Sequence, residues 1–158
     1  MTRIGQGLAA AALAATMTAG VAEACTRGVF VTESGTVITL RSMDWAGDIG
    51  SNIWVMPRGM ERDGAAGPDA LTWTSRYGSV IATAFDVGTA DGMNEAGLVA
   101  NLLYLSESVY PDAPPEEGSR PLSIAAWTQY VLDRFAAVAE AVAAIEAEPF
   151  YVVHVMSP

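Results

Sequence analysis

The 158-residue chain contains one cysteine, Cys25, so no internal disulfide can staple it and a stable fold must rest on its apolar core. That thiol directly follows Ala22-Glu23-Ala24, a small-x-small triplet of the kind signal peptidase cuts, at the end of a short apolar leader. Arg3 supplies the leader's positive start. The Ala/Leu run from Leu8 to Ala15 is interrupted at Thr16, well short of the ~20 apolar residues a membrane span needs. Residues 1–24 therefore read as a signal peptide that sends the protein to the periplasm or the medium, and residues 25–158 as one mature domain without a membrane span. Cleavage would make Cys25 the first residue, its thiol beside its own free α-amine. Two other readings of Cys25 stay open. One is acylation as the anchor of an envelope binding protein, against which Ala22 and Glu23 stand, because that processing favours Leu or a similar residue three places upstream. The other is a buried cysteine that only packs.

Composition narrows the chemistry. Eight Arg, no Lys, eighteen acidic residues and one His give a formal charge of −10, which argues against nucleic acid and against an anionic membrane surface. One Cys and one His cannot build a Cys/His zinc site, a chain without Lys has neither a P-loop nor a Ser-Lys dyad, and no G-x-S-x-G occurs. No metal or cofactor is called for, and Cys25 remains as the strong nucleophile.

Short runs rich in Val, Ile, Thr and aromatics, punctuated by Gly and turn residues, predict strands at Thr26–Thr32, Thr36–Met43, Asn52–Met56, Ser79–Phe85 and Leu98–Leu105. Glu33-Ser34-Gly35 is short enough for a hairpin that returns the second strand beside Cys25. Asp91 to Gly97 reads as a turn, with Asn94 as a turn former. After the Pro-rich acidic stretch Pro111–Arg120 the period changes. Ile124, Trp127, Val131 and Phe135 mark one helix face, with Pro121 at the helix's first turn. A second helix turns Val138, Val142 and Ile145 inward, Pro149 stops it, and Phe150–Met156 is a further buried strand. The class expected is layered α+β.

Cys25-Thr26-Arg27, Arg41-Ser42-Met43-Asp44-Trp45 and Asp91-Gly92-Met93-Asn94-Glu95-Ala96-Gly97-Leu98, in this order, resemble the choloylglycine hydrolase family of penicillin V acylases and bile salt hydrolases. The wording of Arg41 to Trp45 is most similar to the family's Gram-negative penicillin V acylases. The resemblance runs from Cys25 to the last residue. It implies an N-terminal nucleophile hydrolase with an αββα sandwich that cleaves linear amide bonds of a small N-acyl substrate. Penicillin V, N-acyl homoserine lactones and conjugated bile salts are the candidates, in that order. Family members are considerably longer and form homotetramers. Their portion past the point matching Pro158 supplies a second oxyanion Asn, a second catalytic Arg and the strands that complete both sheets. The sandwich is therefore expected to be incomplete here, its C-terminal half absent, and a chain of this length inactive by itself.

The chemistry can be argued beside the resemblance. A thiol with a reference pKa of about 8.5 and an α-amine of about 7.7 to 8.0 titrate close together, so proton exchange between them is cheap. The thiolate would attack the amide carbonyl, the amine would manage the proton, and water would clear the acyl-enzyme. By resemblance Arg41 favours the thiolate by its charge, and Asp44 orients the amine or sulfur. Three residues apart on a regular strand they point to opposite faces, so both reach Cys25 only if the strand ends, twists or bulges near Met43. Resemblance also places Tyr104 at an oxyanion position where Gram-negative relatives often carry Trp, and Trp45 in the same acyl pocket, against the ordinary alternative of core packing for both. Met43, Met56, Met60 and Met93 read as core or pocket filling, and His154 as a satisfied core residue.

Overall fold

The computed structural model describes residues 25–105, 107–147 and 150–154. The expected signal peptide, Pro149 as a helix stop and the last residues of the final expected strand lie outside the described residues.

Strand β1 (Thr26–Val31) pairs antiparallel with β2 (Val37–Ser42), Thr26 opposite Ser42 and Val31 opposite Val37. The turn between them closes on Thr32, whose hydroxyl accepts from the Thr36 amide at 2.9 Å, and Gly35 takes a positive φ of 83°. β3 (Ile53–Met56), β6 (Ser79–Ala84), β7 (Gly88–Asn94) and β8 (Val99–Asn101) form an antiparallel four-stranded sheet in the order β3-β6-β7-β8. Between β3 and β6 the chain makes a small ribbon, β4 (Glu61–Asp63) with β5 (Thr72–Thr74). β9 (Arg120–Ser123) and β10 (Phe150–Val153) pair in parallel around helices α1 (Ile124–Arg134) and α2 (Val138–Glu146).

α1 lies on β7 because β7 is built of small residues where they touch. A Cβ on Gly92 would come within 2.6 Å of Leu132 Cδ1 and 2.9 Å of the Val80 carbonyl, and one on Gly88 within 3.1 Å of Ala125. Polar groups on α1 are satisfied in this contact: Thr89 donates to Gln129 at 2.9 Å, and Asn94 Nδ2 donates to the Leu132 and Phe135 carbonyls at the helix end. Behind the helix, Trp73, Leu122, Tyr130, Phe135 and Phe150 form the apolar core, with Tyr130 edge-on to both Phe150 (5.0 Å) and Trp73 (5.2 Å). The sheet's other face turns Val80, Met93 and Val99 toward β2 across a cleft of about 540 Å³. Helix, sheet and hairpin are thus stacked as successive layers, and the α+β class is as expected.

Several expectations are corrected. Pro121 does not open the helix: it sits in β9, where a two-stranded sheet leaves an edge that needs no donor, and α1 starts at Ile124 with Ser123 accepting from Ala125 N at 3.1 Å. Asp91 to Asn94 is strand, and only Glu95 to Gly97 turns, with Gly97 at φ 89°. The Asn94 side chain ties that turn, accepting from Ala96 N and Leu98 N. The Gly78 amide, donating to Glu95, holds its carboxylate below the ordinary range. β8 covers only three of the eight residues expected in that strand. α1 buries Ala125, Thr128, Gln129 and Leu132 more deeply than the face expected, although Trp127 and Val131 pack on the core from its side. In α2 the inward residues are Ala141, Ala144 and Ile145, while Val138 and Val142 are exposed. Met93 is exposed on the inter-sheet cleft, so of core and pocket filling it takes the second.

Candidate active site

The hairpin register fixes the geometry around Cys25. Thr26 faces Ser42 and Arg27 faces Arg41, and Cys25 and Met43 are the residues just past this end of the paired strands. Opposite and alternate residues share a face, so Cys25, Arg27, Arg41 and Met43 lie on one side of the hairpin. That side turns to the four-stranded sheet. β2 ends at Ser42, one residue before Met43.

Cys25 opens on a cavity of about 430 Å³ whose walls include Trp45, Phe85, Tyr104 and Ile124. Trp45 stands edge-on to Tyr104 at 5.2 Å and to Phe85 at 6.4 Å, an aromatic corner that neither buries in the core nor closes the cavity. Trp45 and Tyr104 remain 46% and 57% exposed. Among the described residues that line the cavity there is no Asp, Glu or Arg.

Phe85 is not signalled by the sequence. It and Asp86 both have φ of 55° in the tight turn joining β6 to β7, closed by Val87 N to Ala84 O at 3.1 Å. Bulky residues rarely adopt this conformation, and here it turns an aromatic ring onto the cavity wall. Nothing in Ala84-Phe85-Asp86-Val87 carries the Asn-Gly pattern that marks such a turn. His154, expected in the core, is instead exposed at the cavity beside Tyr110, ring centroids 5.5 Å apart, because β10 ends one residue before it.

Arg41 and Asp44 do not line this cavity. The Arg41 guanidinium is 8% exposed, donates to the Leu102 carbonyl and pairs with Asp91 at 3.1 Å, facing the inter-sheet cleft. Asp44 accepts from Ser42 Oγ at 3.1 Å, on the hairpin's other side. Among the described residues, no hydrogen bond joins either to Cys25. The structure therefore brings Cys25, Trp45 and Tyr104 to one cavity and leaves Arg41 and Asp44 on its flank.

Cys25 thus stands just before β1 and opens on an aromatic cavity in an α+β frame. The chain belongs to the linear amide C–N hydrolases of the choloylglycine hydrolase family, whose sequence profile matches residues 25–153. It is 49% identical over 148 residues to penicillin V acylase of Pectobacterium atrosepticum, covering 89% of this chain and 39% of that protein. Among solved structures it is similar to penicillin V acylase from Agrobacterium tumefaciens, with 60% identity and a TM-score of 0.75 over 80% of this chain and 39% of the other. It is also similar to a mutant conjugated bile acid hydrolase from Clostridium perfringens, with 25% identity and a TM-score of 0.67 over 84% of this chain and 40% of the other. The chain thus spans about two fifths of the length of each of these relatives.

Proposed function

We propose that the protein, exported and freed of residues 1–24, hydrolyses the linear amide bond of small N-acyl substrates with Cys25 as its N-terminal nucleophile. The observation that carries this reading is Cys25 at the open end of β1, on the wall of an aromatic cavity whose described lining holds no Asp, Glu or Arg. In the uncleaved chain the Cys25 nitrogen is a peptide nitrogen and cannot act as a base. Removal of the leader frees it as an amine. The thiol proton passes to this amine, directly or through water, and the thiolate adds to the substrate carbonyl. The amine then protonates the leaving nitrogen, the C–N bond breaks, and a thioester remains on Cys25. Water, deprotonated by the same amine, releases the acid and restores the thiol. Arg41, diagonal to Cys25 on the same hairpin face, favours the thiolate by its charge. Asp44, just past the strand end opposite Cys25, is free to turn from Ser42 to the new ammonium. Tyr104 serves the developing oxyanion, and Trp45 packs on the acyl group.

The cavity's lining favours an uncharged aryl or alkyl acyl group, as in penicillin V or an N-acyl homoserine lactone, ahead of conjugated bile salts. The processed protein, at the full length of its relatives, is to be given each of the three and assayed for the released amine. Turnover of penicillin V at least about tenfold above the bile salts is expected, since a few apolar contacts are worth about 1–3 kcal/mol. Release of amine from none of them would remove the reading.

A further inference from the structure

We infer that Asp91, braced by Asn101, is the positioning residue that holds the Arg41 guanidinium on the Cys25 face of the hairpin; the inference rests on the thiol mechanism proposed above.

A single extra residue makes this arrangement. β6 and β7 pair Thr83 with Thr89 and then Ala82 with Asp91, so Ala90 bulges out of the ladder. Thr89 points to α1, where it donates to Gln129. Regular alternation would send Asp91 the same way, into the packed contact with the helix. The bulge reverses its direction, and Asp91 crosses the inter-sheet cleft to Arg41 at 3.1 Å. The same bulge places the other partner of Arg41. The Ala90 carbonyl accepts from Leu102 N at 2.7 Å, and the Leu102 carbonyl accepts from Arg41. Two residues further on stands Tyr104, on the cavity wall.

Asp91 is itself fixed. Asn101, directly opposite it on β8, donates from Nδ2 to Asp91 Oδ1 at 2.8 Å, leaving Oδ2 for the guanidinium. Arg41 Nε and Nη1 are buried without a well-aligned hydrogen-bond acceptor, so Nη1 meets Asp91 through charge alone. A guanidinium this poorly satisfied is kept in place by its charge partner, and removing the carboxylate releases it toward solvent. Along this strand the roles therefore separate, with Asp91 holding Arg41, Gly92 admitting Leu132, and Asn94 ending α1.

The test compares Asp91→Ala, Arg41→Leu and the double variant in the processed protein. Asp91→Ala is expected to lower kcat about tenfold with KM changed less than about twofold, the pattern of a lost transition-state interaction. With the guanidinium released from the Cys25 face, alkylation of Cys25 at a fixed neutral pH should slow about tenfold. Arg27, Asp44, Tyr104, Tyr110 and His154, the other titratable groups near Cys25, are unchanged by the substitution. The double variant should be no worse than Arg41→Leu alone. Losses that multiply, or an Asp91→Ala protein with unchanged kcat and alkylation rate, would overturn the role. If Asp91→Ala does not fold, the isosteric Asp91→Asn is read by the same measurements, and alkylation needs no substrate. Cys25→Ala assayed in parallel separates the two claims: residual turnover there defeats the thiol mechanism, whereas full loss beside an unaffected Asp91→Ala defeats only the role of Asp91.

Discussion

Cys25→Ala in the processed protein is expected to abolish amide hydrolysis, and Cys25→Ser to lower kcat by at least about 10³-fold, with the fold and thermal midpoint preserved. The expectation is large because the mechanism has no spare nucleophile. Serine keeps the geometry, but its hydroxyl is far less acidic than a thiol, and an N-terminal amine is a weak base for it. The cavity does contain a rival set, since Ser108 and His154 line it with Cys25. A hydroxyl-imidazole mechanism built on that pair would survive Cys25→Ala and fail in Ser108→Ala. Release of amine measured on both variants decides between them.

The second large effect concerns stability. Asp133 is fully buried on α1 and accepts from Trp73 Nε1 at 2.8 Å, Gln129 Nε2 at 2.7 Å and Arg62 Nε at 3.3 Å. Its backbone carbonyl also receives the Arg76 amide at 2.8 Å. One carboxylate thus ties β4, β5 and α1 together. Asp133→Ala leaves the largely buried Arg62 guanidinium, whose Nη2 already lacks an acceptor, without its counter-charge, and strands the Trp73 and Gln129 donors. Breaking a buried pair by removing one partner costs about 3–5 kcal/mol. For a chain of this length that is a fall in thermal midpoint of roughly 10 °C or more. Asp133→Asn, which keeps the shape and one acceptor, should lose less. Urea unfolding of the three proteins measures the difference; a loss below about 1 kcal/mol for Asp133→Ala would mean that the network is not what joins the ribbon to the helix.

The parts of the fold that announce themselves by period are legible in the sequence. β1, β2, β3 and β6 stand out as β-branched runs between turns, and both helices follow from the spacing of their apolar residues. β7 is hidden because Gly-Thr-Ala-Asp-Gly contains almost no strand-forming side chains. It is a strand for a tertiary reason, since α1 can approach only small residues. β4 and β5 are three residues each, too short for a period to show. At the site, motifs lead to Cys25, Trp45 and Tyr104, which do share a cavity. What spacing cannot tell is where Arg41 turns, because its partner Asp91 owes its direction to a bulge that leaves no mark in composition. Sequence alone marks Asn94 only as a turn former, because its bonds to the end of α1 span some forty positions. Phe85 and His154 reach the cavity through a strained turn and a strand end, neither of which the sequence signals.

The central claim is that amide cleavage passes through a thioester on a first-position Cys25. Mass spectrometry of the exported protein, quenched in acid during turnover of penicillin V and digested, tests it most directly. The expected result is an N-terminal peptide that begins at Cys25 with a free α-amine and carries the phenoxyacetyl group on sulfur. A diacylglyceryl group on Cys25, an N-terminus at any other residue, or acylation confined to another side chain would contradict it.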